Sequence, residues 1–112
     1  MRHEMRLHNE PFMAFLNGSK KIEMRLNDEK RQLICVGDEI LFSNRKTGEE
    51  MVVLVKRLHY FPTFEELFSS FSPELLGYSS GEVLNSKDME QYYSKEEQEK
   101  YGVVGIEVEI QK

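Results

Sequence analysis

The stretch that decides the fold is "GDEILFSNRKTGEEMVVLVKRLHYF", Gly37 to Phe61. "GDEILFSN" reads as a turn entering a strand through Ile40 and Phe42. "NRKTGEE" follows as a hairpin connection, with Gly48 supplying backbone freedom. "MVVLVKRLHYF" is the strongest strand signal in the chain, because its β-branched run is long and unbroken. It is apolar on both faces, which points to a central position in a sheet. No crossover helix fits between residues 36 and 58, which argues against a regular βαβ sheet.

On the N-terminal side, "EMRLH" alternates as a short strand through Met5 and Leu7. In "NEPFMAFLNGS", Asn9 can cap a helix, Pro11 suits its first turn, and Phe12, Phe15 and Leu16 fall on one face. Asn17 and Gly18 suit its exit. After Gly18 the period changes, and Ile22, Met24 and Leu26 alternate with Glu23 and Arg25 as in a strand with one buried face. Beyond Phe61, "PTFEELFSSFSPELLG" holds two short helical pieces. Phe64, Leu67 and Phe68 share a face in the first, and Ser72-Pro73 starts the second. "NSKDMEQYYSKEEQEKYG" reads as helix interrupted at Ser94, where Ser94 and Glu97 have capping-box spacing. "VVGIEVEIQK" then returns to the sheet. The expected fold is mixed α/β, a small curved β-barrel with short helices at its rim. One domain over residues 1–112 is expected, carrying a helical insertion at about 62–101.

The chain has 112 residues, among them 7 Phe and 5 Tyr, enough large side chains for a packed interior. No apolar run approaches the roughly 18 residues of a membrane span, and the first residues lack the apolar core of a secretion signal. Cys35 is the single cysteine, which excludes an internal disulfide. Its neighbours in "QLICVGD" predict a small buried residue. These features lead us to expect a cytoplasmic protein. His3, His8 and His59 are too scattered for a zinc site, so no metal or cofactor is expected.

The formal charge of −5 argues against strong duplex DNA binding by bulk electrostatics. The charge is unevenly placed. Residues 1–57 carry 11 Lys and Arg against 9 Asp and Glu, whereas residues 58–112 carry 4 against 11. A local basic site is therefore compatible with an acidic protein.

That site is sought in "GSKKIEMR", Gly18 to Arg25. Alternation places Lys21, Glu23 and Arg25 on the face opposite Ile22 and Met24, and a turn can redirect Lys20 towards the same place. One reading is a solvated face whose charge pairs contribute little. The other is a ligand site. Arg25 would hold a planar oxygen-bearing group, Glu23 would accept an exocyclic N–H, and Lys20 would polarise or deprotonate a neighbouring group. Tyr92, Tyr93 and Tyr101 are candidates to stack on a base. Tyr60 and Phe61 are weaker candidates for the cleft mouth.

Gly18, Lys20, Glu23 and Arg25 resemble the G-x-K-x-x-E-x-R signature of the ASCH domains, which are related to the PUA-like RNA-binding barrels. Gly37-Asp38 leading into a strand, "YYSKEEQEKYG" and the closing "GVVGIEVEI" extend the resemblance over nearly the whole chain. It implies a β-barrel with a cleft lined by the signature and a ligand that is RNA, a nucleotide or a modified nucleoside. Some small members remove the acetyl group of N4-acetylcytidine, and others are linked to ribonuclease activity. In the amidohydrolase branch a lysine matches Lys20, a threonine stands where this chain has Glu23, and a glutamate from the insertion completes the site. Glu82 is the nearest candidate for that last role.

For an enzyme, the implied catalytic residues are thus Lys20, Glu23 and Glu82. For a binding protein, the ligand-binding set is Lys20, Lys21, Glu23, Arg25 and Tyr93. Amide hydrolysis needs a base, a proton for the leaving amine and donors for the oxyanion. A carboxylate beside a lysine favours the ammonium form and weakens it as a base. Binding is therefore the favoured expectation. A third reading is a protein-interaction module presenting the acidic helix around residues 90–100.

Overall fold

The long apolar run forms strand β4 (Glu50–Phe61), with Met51, Val53 and Val55 buried in alternation. The structure, a computed structural model, describes residues 1–78 and 93–111. Strands β1 (Arg2–Leu7), β2 (Ile22–Leu26), β3 (Glu39–Asn44) and β5 (Val103–Ile110) complete one sheet in the order β1-β3-β4-β5-β2. β4 is central, as its two-sided apolar character predicts. β1 runs parallel to β3, while β3–β4, β4–β5 and β5–β2 are antiparallel. The mixed sheet curves into a half-barrel with, among the described residues, three short helices near its rim, the small α/β architecture expected from sequence.

Alternation breaks once in β4, at a bulge between Val55 and Arg57. The bulge leaves both Lys56 and Arg57 exposed, each facing a carboxylate of β5. Strict alternation is therefore interrupted at this pair.

Among the described residues, two apolar clusters hold the fold. The larger contains Phe12 and Phe15 of helix α1 (Asn9–Leu16), packed on Phe42, Val53 and Ile106 of the sheet. Phe15 and Phe42 stack with ring centres 4.9 Å apart. The smaller gathers Ile22 and Val103 under Phe64 and Leu67 of helix α2 (Phe64–Ser70), with Leu76 from a short 3-10 turn, Pro73–Leu76. Val103 and Val104 are successive residues of β5 in different clusters, so the sheet is covered on both faces.

The short helices follow their local signals with two differences. Leu16 is exposed instead of joining Phe12 and Phe15. Asn9 is the first residue of α1 and not its cap, because His8 occupies the cap position and the Asn9 side chain accepts a hydrogen bond from Asn44. Cys35 is exposed, contrary to the expectation of a buried residue. The chain turns at Cys35 to enter β3, and Ile34 takes the buried position instead. The Cys35 amide donates to Asp38, as part of a small network with His3. The His3 contact, then the Cys35 amide, holds the Asp38 carboxyl down to about 2.

Helix α3 (Lys95–Tyr101) begins at the anticipated interruption. The Ser94 hydroxyl accepts from the Glu97 amide at 3.1 Å, and the Glu97 carboxylate accepts from the Ser94 amide at 3.2 Å. The expected helix upstream, residues 85–92, lies outside the described residues. Replacing Ser94 with alanine should lower stability by about 1 kcal/mol in urea unfolding. A change below about 0.3 kcal/mol would mean that this cap contributes nothing measurable. Gln98 of α3 is buried, accepting from the Phe64 amide and donating to the Tyr93 carbonyl. It thereby ties α3 to α2 and fixes the backbone at Tyr93.

Candidate ligand-binding cleft

The turn after α1 sets the first charged residue. Gly18 adopts φ +88°, and the Lys20 amide donates back to the Ala14 carbonyl. The Lys21 amide donates to the Leu75 carbonyl. The chain is thus clamped between the end of α1 and the Pro73–Leu76 turn, and Lys20 enters the interior. Only 6% of Lys20 is exposed. Its Nζ donates to the Leu76 carbonyl at 2.9 Å, lies 3.4 Å from Glu23 Oε1, and sits 5.2 Å from the centre of the Phe15 ring. The carbonyl, carboxylate and aromatic face together offset the loss of water around the ammonium.

Gly77 makes room for this path. Its φ is +94°, and a Cβ there would stand 2.8 Å from Lys20 Cδ. Glycine therefore serves both the left-handed backbone and the passage of the lysine stem.

Glu23 is equally buried at 6% exposure. Oε1 faces Lys20, while Oε2 accepts from Arg25 Nε at 3.0 Å and Nη2 at 2.8 Å. Arg25 Nη2 also donates to the Arg6 carbonyl at 3.2 Å, linking edge strand β2 to edge strand β1. The cluster therefore lies where the half-barrel is open. Burial pushes the Glu23 carboxyl up, but Lys20 and Arg25 outweigh it and hold the group below its ordinary value. Burial likewise disfavours the Arg25 charge, and Glu23, with a smaller contribution from Tyr93, reverses that effect. The result is a fixed, ionised carboxylate between two cations.

The cluster forms part of the wall of a cleft of about 740 Å³, lined also by Lys46, Gly77 and Tyr78. A recess of about 210 Å³ continues past Arg25 to Arg6, Arg45 and Tyr93. The two adjoin, sharing His8, Pro11, Glu23 and Met24 in their walls.

Of the residues singled out from sequence, Lys20, Glu23, Arg25 and Tyr93 come together here. Tyr93 lies beside Arg25, with its ring stacked on Phe64 at a 5.5 Å separation. Lys21 does not join them. It is exposed and lines another recess with Lys56, Glu107 and Glu109, which Lys20 also borders. Glu82 and Tyr92 lie outside the described residues. Tyr101 donates to Glu29 away from the cleft, Tyr60 is exposed, and Phe61 packs in the smaller apolar cluster. Sequence reasoning missed Arg6, His8, Arg45, Lys46 and Tyr78. The adjacent cations of "NRKTG" were the available signal for Arg45 and Lys46. Among the described residues, no three His, Cys, Asp or Glu side chains gather as a metal site. Among the same residues, no helix is long and apolar enough to cross a membrane.

A curved half-barrel sheet with short helices near its rim is the architecture of the ASCH and PUA-like domains. The ASCH domain model matches residues 5–112, and the chain belongs to that family, with the architecture of the PUA-like group. The chain is similar to the hypothetical protein PH0355, known from a crystal structure. The two are 36% identical over 99% of this chain and 100% of that one, with a TM-score of 0.83. It is also similar to protein PF0455 from Pyrococcus furiosus, known from a solution NMR structure. Identity there is 35% over 98% of this chain and 97% of the other, with a TM-score of 0.71. No curated protein matches the chain. The ASCH and PUA-like proteins are generally associated with nucleic-acid or nucleoside interactions.

Proposed function

We propose that the cleft binds RNA, a nucleotide or a modified nucleoside. The observation that carries this reading is the Lys20–Glu23–Arg25 cluster, whose buried Lys20 and Glu23 line a concavity of about 740 Å³ while the half-buried Arg25 lines the adjoining recess. Such a volume lies within the roughly 300–1,000 Å³ common for small-molecule sites. A base edge presents N–H donors beside carbonyl acceptors. An ionised Glu23 accepts the former, and the remaining N–H groups of Lys20 and Arg25 serve the latter. Tyr93 and Met24 offer apolar surface for the ring.

Deacylation has less support. The glutamate that the resemblance implies for that chemistry, Glu82, lies outside the described residues, so the described cluster supplies only part of the implied catalytic set. An interaction role for the acidic α3 surface would leave the buried cluster unexplained.

The test is calorimetric titration with the common ribonucleosides, N4-acetylcytidine and a short single-stranded oligoribonucleotide, using the parent and K20A. The parent should bind at least one probe, and K20A should weaken that binding by about tenfold or more, as expected for loss of a buried charged donor. Equal heats from the parent and a buffer blank would end the proposal. Release of cytidine from N4-acetylcytidine would instead favour the hydrolase reading.

A further inference from the structure

The cleft carries more positive charge than its central cluster uses. Its described walls hold Lys20, Arg25, Arg6, Arg45 and Lys46, against Glu10 and Glu23. This concentration occurs on a chain whose formal charge is −5. Glu23 is already shared by Lys20 and Arg25. The Arg6, Arg45 and Lys46 side chains are exposed and form no ion pair with any carboxylate among the described residues. Glu49 and Glu50 stand only a few positions away in the same hairpin, so carboxylates are near in sequence without being engaged.

The hairpin presenting Arg45 and Lys46 is held rigidly. Asn44 is 2% exposed, an unusual depth for an amide. Its Oδ1 accepts from the Lys46 amide at 2.8 Å and the Thr47 amide at 3.3 Å, and its Nδ2 donates to Asn9 Oδ1 at 3.0 Å. The Arg45 amide donates to the Leu7 carbonyl at 2.8 Å, one residue beyond the Arg6 carbonyl that receives Arg25. Backbone and amide bonds thus lock the hairpin, the end of β1 and the cluster into one rim. The long cationic side chains are not consumed in that locking. Preorganised backbone with uncommitted guanidinium and ammonium groups is the chemistry that captures phosphate oxygens.

We infer that Arg6, Arg45 and Lys46 form a phosphate-binding rim, so that the cleft takes a phosphorylated nucleoside in preference to a free one. The inference rests on the base-binding reading above. It adds that a phosphate, whether the 5′-phosphate of a nucleotide or a phosphodiester of RNA, lies against the β3–β4 hairpin while the base reaches Glu23.

Titrations with the four common ribonucleosides, their 5′-monophosphates and a short single-stranded oligoribonucleotide test this in the parent and in R45Q/K46Q. Both substitutions keep the backbone bonds of the hairpin, and circular dichroism checks that the fold is retained. In the parent, each nucleotide that binds should bind about tenfold more tightly than its nucleoside. In R45Q/K46Q that ratio should fall to about twofold or less, whatever the change in nucleoside affinity itself. The salt dependence of oligonucleotide binding should become shallower by roughly 0.7 in log–log slope for each phosphate that the variant no longer neutralises. A tenfold gain with monophosphates identifies a nucleotide site; a gain confined to the oligonucleotide identifies an RNA backbone site. Equal affinity for nucleoside, nucleotide and oligonucleotide in the parent overturns the rim while leaving the base-binding cleft standing. A phosphate preference undiminished in R45Q/K46Q also overturns it. Failure of every probe to bind overturns the rim, and if N4-acetylcytidine also fails to bind it overturns the base-binding reading with it.

Discussion

Replacing Glu23 with glutamine should destabilise the protein by about 3–5 kcal/mol, the range found when one member of a buried charge cluster is removed. Glutamine has nearly the shape of glutamate, so packing is kept and the lost quantity is charge. Lys20 would remain buried and Arg25 half-buried with no counter-ion between them. One amide oxygen can still accept from Arg25, but the NH₂ end would confront the Lys20 ammonium with a donor. Urea unfolding at neutral pH measures the effect. A K20M/E23Q double variant should be less destabilised than the two single changes combined, because it removes one cation together with its partner. A loss below about 1 kcal/mol for Glu23→Gln would show that the three side chains do not act as one electrostatic unit.

The same carboxylate sets a pH dependence. Its folded value lies below the ordinary 4.5, so the folded state releases this proton more readily than the unfolded chain. Its contribution is therefore complete above pH 4.5 and is lost as pH falls through the lower folded value. The stability difference between the parent and Glu23→Gln should narrow across that same acid window and be flat above it.

Much of this arrangement was legible in the residues. The uninterrupted β4 run, the Gly18 period change and the Ser94 cap each have a local physical cause, and each appears where that cause places it. Alternation was less reliable around the site. It grouped Lys21 with Glu23 and Arg25, yet Lys21 is exposed and lines another recess with Lys56, Glu107 and Glu109. Lys20 instead owes its position to Leu75, Leu76 and Gly77, more than 50 residues away in sequence. Arg6, Arg45 and Lys46 were invisible as a group because the parallel β1–β3 pairing brings them together. Cys35 looked buried from its apolar neighbours, but the turn into β3 buries Ile34 in its place. Local patterning thus reveals the elements, while the contents of the cleft depend on which distant carbonyls and side chains the topology supplies.

Gly77→Ala tests the most specific of those distant contacts. Two effects combine there. An alanine at φ +94° adopts a left-handed conformation, which carries about 1–2 kcal/mol of strain. Its Cβ also meets Lys20 Cδ at 2.8 Å, Cγ at 3.3 Å and Nζ at 3.4 Å. The lysine cannot yield freely, because its Nζ is anchored on the Leu76 carbonyl at 2.9 Å. Either that bond breaks or the Pro73–Leu76 turn shifts, and both routes disturb the charge cluster. The combined loss should be about 2–4 kcal/mol, accompanied by the ligand-binding defect of K20A. Gly48 provides an internal reference, since its φ is +79° and nothing lies within 4 Å of its hypothetical Cβ. Gly48→Ala should therefore report strain alone, at about 1–2 kcal/mol. In a K20A background the lysine stem is gone, and the cost of Gly77→Ala should fall to the Gly48→Ala level. Equal costs for the two glycines in both backgrounds would mean that Gly77 shapes only the backbone and does not accommodate Lys20.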